Sequence, residues 1–461
     1  MRIVVIGAGV GGLGTAFALS RQGHDVTVLE RDRTPLPHNP DEAFEWDRRG
    51  APQVRHSHAM LARLRNLLRD RYPDVLDALY AAGVTDWPLT VNLPPTIDDP
   101  SPQPGDDDLV MLACRRTTFE WVLRTMVLAA PHVRLLDGVA VDGLTGSRNL
   151  VTGVRTDAGT FDADIVVAAN GRRGDVPAWL AEIGAACPEV EEDTGIIYFS
   201  RFYRLRDGAE TPSQIGPIGG DLGYLKYATF PGDNRTFSVT FATPVDDGEL
   251  RAMLLDAATF ERAGATLVAT KPWVEVERAE PITPVHVMAK LLNRLRSFDD
   301  VLGFHAVGDA HTCTNPLYGR GCSLAMVQAT LLANAVAAHP DDAGARAAMY
   351  EAASAEEIEP WYHAAVMADR DNRGEPSGDE SDPRNFFRSV LREGLAPAMR
   401  TDQRVFRAFL RTFNLLTTPD ALMRDGELIT RVVEVYNDRE NRPPEPDLGP
   451  PTRAELIAAI T

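Results

Sequence analysis

Long apolar runs interrupted by small-residue turns open the chain. Ile3 to Ile6 is continuously apolar, and Val26 to Leu29 closes a second such stretch. Runs of this kind predict strands buried on both faces of a parallel sheet. Between them Leu13, Phe17 and Leu19, with small Ala16 and Ala18, predict a helix able to pack closely on that sheet. Helical periodicity returns over Met60–Tyr80 and Thr117–Ala130. Short strands are predicted at Val133–Leu136, Val139–Leu144 and Asp164–Ala169, and polar, proline-containing loops at 34–57 and 98–108. From Thr194 to Ala242 the texture is β-rich. Phe237, Val239 and Phe241 there alternate with Thr236, Ser238 and Thr240, the period of a half-exposed antiparallel strand, and "PGDN" before them predicts a hairpin turn. A mostly apolar run, Val301–Val307, leads into Gly308-Asp309 and then a glycine-rich helix start. From Arg346 onward the pattern is helical, apart from a proline- and acid-rich break at 374–383.

These elements predict an α/β fold: a Rossmann-like dinucleotide-binding domain interleaved with an antiparallel β-sheet substrate domain, plus a helical C-terminal extension. At 461 residues the chain is long enough for two or three domains. The expected division gives 1–85, 111–185 and 286–345 to the dinucleotide domain. The stretch 86–110 is an excursion toward the substrate domain, 186–285 is its β-rich body, and 346–461 is the helical region.

Charge and cysteine usage narrow the function classes. With 47 basic against 66 acidic side chains and a net charge of -19, nucleic acid and anionic membrane are poor partners. The four cysteines form no CxxC pair, which argues for a reducing compartment and against zinc. No apolar run is read as the roughly 18 residues a membrane span needs. The first strand begins at Arg2, leaving no room for a signal peptide. The expected location is cytoplasmic.

The most informative chemistry is Gly7-x-Gly9-Val10-x-Gly12 between the first strand and helix. The first glycine permits the turn, the second lets backbone approach a pyrophosphate, and the third lets helix and strand pack closely. Glu30, followed by Arg31, ends the second strand, where a carboxylate can take ribose hydroxyls. In "QVRHSHAML" the histidines His56 and His58 lack the cysteine or carboxylate companions of a metal site.

Four separated motifs across Met1–Ala333 resemble the FAD-dependent monooxygenases of the aromatic-hydroxylase class, with closest similarity to their bacterial epoxidase and geranylgeranyl-reductase-like branch. The resemblance implies that the glycine turn and Glu30 hold the ADP half of a non-covalent FAD. It implies that Arg116 in "CRRTTFEWVLR" reaches FAD, although a solvated arginine at a helix start fits equally. Val141 in "GVAVDGL" takes the place of an adenine contact, and Arg55 that of a flavin contact or a helix-start surface residue. Asn170-Gly171 in "VVAANGRRGDVPAWL" stands where the family carries Asp-Gly, with Gly174 at a common serine position. Gly308-Asp309 offers a carboxylate to the ribitol. Pro316, Gly319, Gly321 and Cys322 then cross the isoalloxazine, with backbone N–H groups and the positive end of the following helix toward the ring. The family's histidine three residues after the aspartate is Thr312 here, so His311 is assigned no proton transfer.

The resemblance further implies an FAD-dependent monooxygenase using NADPH or NADH as transient reductant and O₂. A C4a-hydroperoxyflavin would hydroxylate or epoxidise an apolar aromatic or alkene small molecule of secondary metabolism. No second nucleotide fold is found, which leaves room for a separate reductase. The alternatives are a prenyl-chain reductase or dehydrogenase on the same fold, and a non-catalytic FAD-fold binding protein. Of the β-domain aromatics Tyr198, Phe202, Tyr224, Tyr227, Phe237 and Phe241, most are expected in the core and some above the flavin. Phe386, Phe387, Val390 and Leu391, then Val405, Phe406, Phe409, Leu410 and Phe413, recur at helical spacing. At least one of Phe406, Phe409 and Phe413 is expected at the substrate entrance.

Overall fold

The computed structural model describes residues 1–97, 99–212, 219–374, 390–442 and 445–461. Strands β1 (Arg2–Ile6), β2 (Asp25–Glu30), β3 (Val133–Asp137), β4 (Ile165–Ala168) and a late strand, Phe304–Ala306, form one all-parallel sheet. Its order is Phe304–Ala306, β4, β1, β2, β3. The sheet is therefore stitched from distant segments, and its central β1 has every residue but Arg2 buried. Helix α1 (Val10–Ser20) and helix α2 (Arg116–Ala129) cover one face. A helix spanning Gly321–Ala338 crosses α1 so closely that a Cβ at Gly14 would lie 2.5 Å from the Met326 sulfur. This last helix corrects the sequence reading of membrane spans. It is 18 residues long with mean hydropathy 1.5, long and apolar enough to cross a membrane, yet 72% of that window is buried within the fold.

The second sheet is antiparallel. Its centre is β5 (Ile196–Leu205) paired to a strand over Thr236–Pro244, with Lys226–Pro231 outside and His286–Met288 on the other edge of β5. Phe199, Tyr203, Phe237 and Phe241 face a core shared with Phe260 and Trp273. The opposite, hydroxyl-bearing face was expected to be half-exposed but is not. Ser200, Ser238 and Thr240 are buried because residues 56–58 lie across them. Their hydroxyls satisfy one another: Thr240 Oγ1 donates to Ser57 Oγ at 2.6 Å, and Ser57 Oγ to Ser238 Oγ at 2.7 Å.

Other departures have local causes. Met60–Tyr80 is two helices, Ala62–Arg71 and Pro73–Ala81, because Pro73 lacks the N–H that would continue the first. The expected loop 34–57 contains helical turns at Pro40–Phe44 and Pro52–Arg55, with each proline at the first position, where a missing N–H costs nothing. Strands Val141–Ser147, Leu150–Thr156 and Gly159–Asp162 form a three-stranded antiparallel sheet, of which only the first had been expected. The hairpin turn before Thr236 is not a solvated loop. Asp233 is buried, accepting from Arg115 Nη2 at 2.8 Å and from Thr118 Oγ1 at 2.7 Å. After Gly321–Ala338 come helices Ala343–Glu357, Glu359–Asn372 and Gln403–Phe413. Apart from Gly374, the expected break at 374–383 lies outside the described residues, as do Phe386, Phe387 and the Leu391 side chain.

Candidate functional site

A cleft runs along the carboxyl ends of the parallel strands, where the loops after β1, β2, β4 and Phe304–Ala306 converge. Of the residues singled out in the sequence, Gly7, Gly9, Val10, Glu30, Arg31, Arg116, Val141, Asn170, Gly171, Gly308, Asp309, Pro316, Gly319, Gly321 and Cys322 all line it. They come from segments more than 300 positions apart. Arg31, Arg48, Arg116, Arg172 and Arg173 concentrate positive charge there, in a chain of net charge -19. That suits a pyrophosphate.

The glycine turn is fixed by the protein itself. Gly7 has φ of 100°, and a Cβ on Gly12 would lie 1.9 Å from the Gly7 carbonyl oxygen. Gly12 thus serves the close strand–helix contact and does not line the cleft. Glu30 is buried; Oε2 accepts from the Ala8 amide at 2.9 Å and Oε1 from the Asp32 amide at 3.0 Å. Arg48, which no motif or periodicity marks, donates to the Ala8 carbonyl at 3.1 Å and lies 3.7 Å from Glu30 Oε2. Its guanidinium stacks on Trp46 and meets Glu120 at 2.5 Å.

Close beside the glycine turn, with its nitrogen 3.8 Å from a Cβ built on Gly11, Gly308 at φ of 65° donates its amide to Gln328 Oε1 at 2.8 Å and presents Asp309 to the cleft. Burial raises the Asp309 pKa, while Arg116, Arg172 and Arg294 pull against that rise. Arg116 donates from Nε to Glu120 Oε2 at 3.2 Å, and its Nη1 is 3.4 Å from His58 Nε2 and 3.3 Å from Cys322 Sγ. His58 Nδ1 lies 2.9 Å from the His56 carbonyl. Nδ1 is therefore the protonated nitrogen, leaving Nε2 to accept from Arg116. Burial, then the Arg116 charge, lower the His58 pKa to about 3. His58 is a fixed neutral acceptor that aims Arg116.

Arg55 is a correction. It lies outside the cleft lining, and its Nη1 donates to the Phe44 carbonyl at 3.0 Å, so its guanidinium closes a helical turn. The expected entrance phenylalanines are a second correction. None of Phe406, Phe409 and Phe413 lines the cleft. Their helix is tied to the 99–108 loop: Arg407 Nε donates to Asp106 Oδ1 at 2.8 Å and Arg411 Nη2 to the Gly105 carbonyl at 3.0 Å. Tyr198, Met288, Ser57 and His58 supply the cleft wall contributed by the antiparallel sheet and the segment beneath it. Of the β-domain aromatics, Tyr198 is the one in the cleft lining, while Phe202 packs edge-on against Phe44.

Two glycines test the fit to FAD. A Cβ on Gly9 or on Gly321 would meet no protein atom within 4 Å, and neither residue has a positive φ. Nothing inside the protein requires glycine at these positions; a group filling the cleft would. Asn170 lines the same cleft, and its Oδ1 is buried against Gly174 without a hydrogen-bond partner. The open glycines and the arginines suit a dinucleotide with a pyrophosphate.

Comparison with known proteins agrees with this geometry. A family model described as FAD dependent oxidoreductase matches residues 2–37. Protein Rv3254 of Mycobacterium tuberculosis is 30% identical over 364 residues, 73% of this chain and 73% of its own. Among solved structures, PqsL, a probable FAD-dependent monooxygenase from Pseudomonas aeruginosa, is similar at a TM-score of 0.57 and 16% identity, over 80% of this chain and 94% of that one. The flavin-dependent brominase Bmp2 is similar at a TM-score of 0.54 and 17% identity, over 100% of this chain and 98% of that one. At these identities the structural likeness establishes the fold.

Proposed function

Since the chain belongs to the family of Protein Rv3254 and is an FAD-dependent oxidoreductase, we propose that it is a monooxygenase that uses NAD(P)H and O₂ to hydroxylate or epoxidise an apolar aromatic or alkene small molecule. The observation that carries the reading is the pairing of Gly9 and Gly321, which line one cleft from two distant segments of the chain and each open onto space that no protein atom fills.

The residues divide the work. Glu30 would take ribose hydroxyls with its remaining lone pairs. The Gly9 backbone and the start of α1 would take the pyrophosphate. Asp309 would accept from the ribitol. Gly319 and Gly321 would bring backbone and the N-terminus of the Gly321–Ala338 helix to the ring edge, where a positive field favours added negative charge. Bound FAD supplies two-electron redox chemistry and reactivity toward O₂. Arg116, held by Glu120 and His58, places a permanent cation beside Asp309 and Cys322. Tyr198 and Met288 offer an apolar wall for a substrate and keep water from it. The absence of a nucleophile–base pair from this list fits a reaction whose bond-making is carried by the cofactor.

The test is NADPH and NADH oxidation by the FAD-loaded protein, with product analysis under O₂ and under argon, across aromatics, polyenes and prenyl chains. Oxygen incorporated from O₂ supports the monooxygenase. A reduced product formed equally under argon would replace it with the reductase.

A further inference from the structure

The loop crossing the flavin end of the cleft, Asn315–Gly319, is not held by its own neighbours alone. A carboxylate from the C-terminal helical region is buried beneath it. Asp369, on the helix Glu359–Asn372, is 1% exposed. It accepts from Asn293 Nδ2 at 2.7 Å on Oδ2, and from Asn315 Nδ2 at 2.8 Å and the Tyr318 hydroxyl at 3.1 Å on Oδ1. Neither amide is free to turn. Asn293 Oδ1 accepts the Asn315 backbone N–H at 2.7 Å, and Asn315 Oδ1 accepts the Leu317 backbone N–H at 3.0 Å. Flipping either amide would strand a backbone donor, so both must present N–H groups, and only a residue with acceptors on both sides can meet them. The same helix grips the far end of the loop. Arg320, next to Gly321, has its guanidinium over the rings of Tyr318 and Trp361 and donates to the Trp361 carbonyl at 3.4 Å.

We propose that Asp369 is a positioning residue that fixes the Asn315–Gly319 backbone against the isoalloxazine end of the cleft, which makes the C-terminal helical region part of the cofactor site. This rests on the FAD reading above. Pro316 and Gly319 line the cleft, and Asn315, Leu317 and Tyr318 are the residues through which the carboxylate sets their place. The sequence-level view of 346–461 as an extension to a complete cofactor domain is replaced by one in which that domain borrows its last support from it.

The test uses the full-length chain with Asp369→Asn, Asp369→Ala and Tyr318→Phe. An asparagine keeps the size but faces one of the two fixed amides with an N–H of its own. In the cofactor-free protein, amide hydrogen exchange at Asn315 and Leu317 should accelerate about tenfold or more in Asp369→Asn, as expected for loss of a hydrogen bond to a charged group, while residues 1–30 exchange as in wild type. With FAD added, the variant should retain binding at the ADP end but show an altered visible flavin band and weaker affinity by about tenfold. Tyr318→Phe, which removes one hydroxyl and no charge, should move both readouts in the same direction by less. It decides the matter if the Asp369 variants do not fold. Wild-type exchange in the loop and a wild-type flavin band, with only a lower melting temperature, would overturn the proposal and leave Asp369 a packing residue. Faster loop exchange in Asp369→Asn, together with a wild-type protein that takes up no FAD, would refute the flavin reading and the proposal's cofactor half with it.

Discussion

Gly9 and Gly12 belong to one motif, yet the structure assigns them opposite costs. In Gly12→Ala the new methyl carbon would start 1.9 Å from the Gly7 carbonyl oxygen and 3.0 Å from its carbon, with Ala169 Cβ at 3.4 Å. All of these neighbours are backbone or short side chain, so relief requires α1 to move about 1 Å from β1. Such a shift disturbs the contacts of Leu13, Ala16 and Phe17 in the main core. Overpacking of this kind costs about 1–3 kcal/mol and can cost more where backbone must shift. In Gly9→Ala the methyl meets nothing within 4 Å. The folded, cofactor-free protein should therefore keep its stability to within about 0.5 kcal/mol. The same methyl would occupy the space proposed for the pyrophosphate, and FAD affinity should fall by about 10- to 100-fold, or roughly 1.4–3 kcal/mol. The assay pairs urea unfolding of cofactor-free protein with FAD titration by flavin fluorescence. Two results would refute the reasoning: Gly9→Ala binding FAD as tightly as wild type, or Gly9→Ala losing as much cofactor-free stability as Gly12→Ala.

Three further outcomes are expected. Glu30→Ala, which removes the acceptor of the Ala8 and Asp32 amides as well as the proposed ribose contact, should weaken FAD binding by about 1–3 kcal/mol in the same titration. Cys313 and Cys322 line the cleft, but burial raises both pKa values, so neither supplies a thiolate for attachment; acid precipitation should release all flavin into the supernatant. His56, His58 and His305 have pKa values lowered by burial from 6.5 to about 3. A lowered folded-state value means each contributes stability that is complete above pH 6.5 and is lost as pH falls toward 3. The loss is at most about 1.4 kcal/mol per pH unit per histidine. His305→Gln should therefore show a smaller drop in urea midpoint between pH 7.5 and pH 5 than wild type.

How much was legible in the sequence follows from where the information sits. The parallel sheet and α1 could be read because burial on both faces leaves an unbroken apolar run, as in Ile3–Ile6. The glycine turn could be read because its spacing is set by local geometry. Arg48 could not: its role depends on Trp46, Glu120 and the Ala8 carbonyl meeting across a loop, and no periodicity marks that encounter. Arg55 stays open between two roles in the sequence because a charged residue near a helix start looks the same whether it faces a cofactor or closes a turn. The strand Thr236–Pro244 shows a different failure. Alternation identified the strand but could not say that its hydroxyl face would be covered, since the cover, residues 56–58, is distant in sequence, Ser57 lying 181 positions before Ser238. Asp369 carried no signal at all, being one acid among many in a helical tail.

The stitched sheet has a consequence for how the protein is made. Its edge strand, Phe304–Ala306, and the buttress at Asp369 are synthesised long after the glycine turn at residues 7–12. At ribosomal speeds the first half of the cofactor cleft exists for on the order of tens of seconds before the second half leaves the exit tunnel. During that interval β4 has an unpaired edge and the Ile165–Ala168 backbone is open to other strands. A complete cleft requires residues 308–321, so tight cofactor binding is expected only after they emerge, and a nascent chain stalled before residue 304 would carry this open edge.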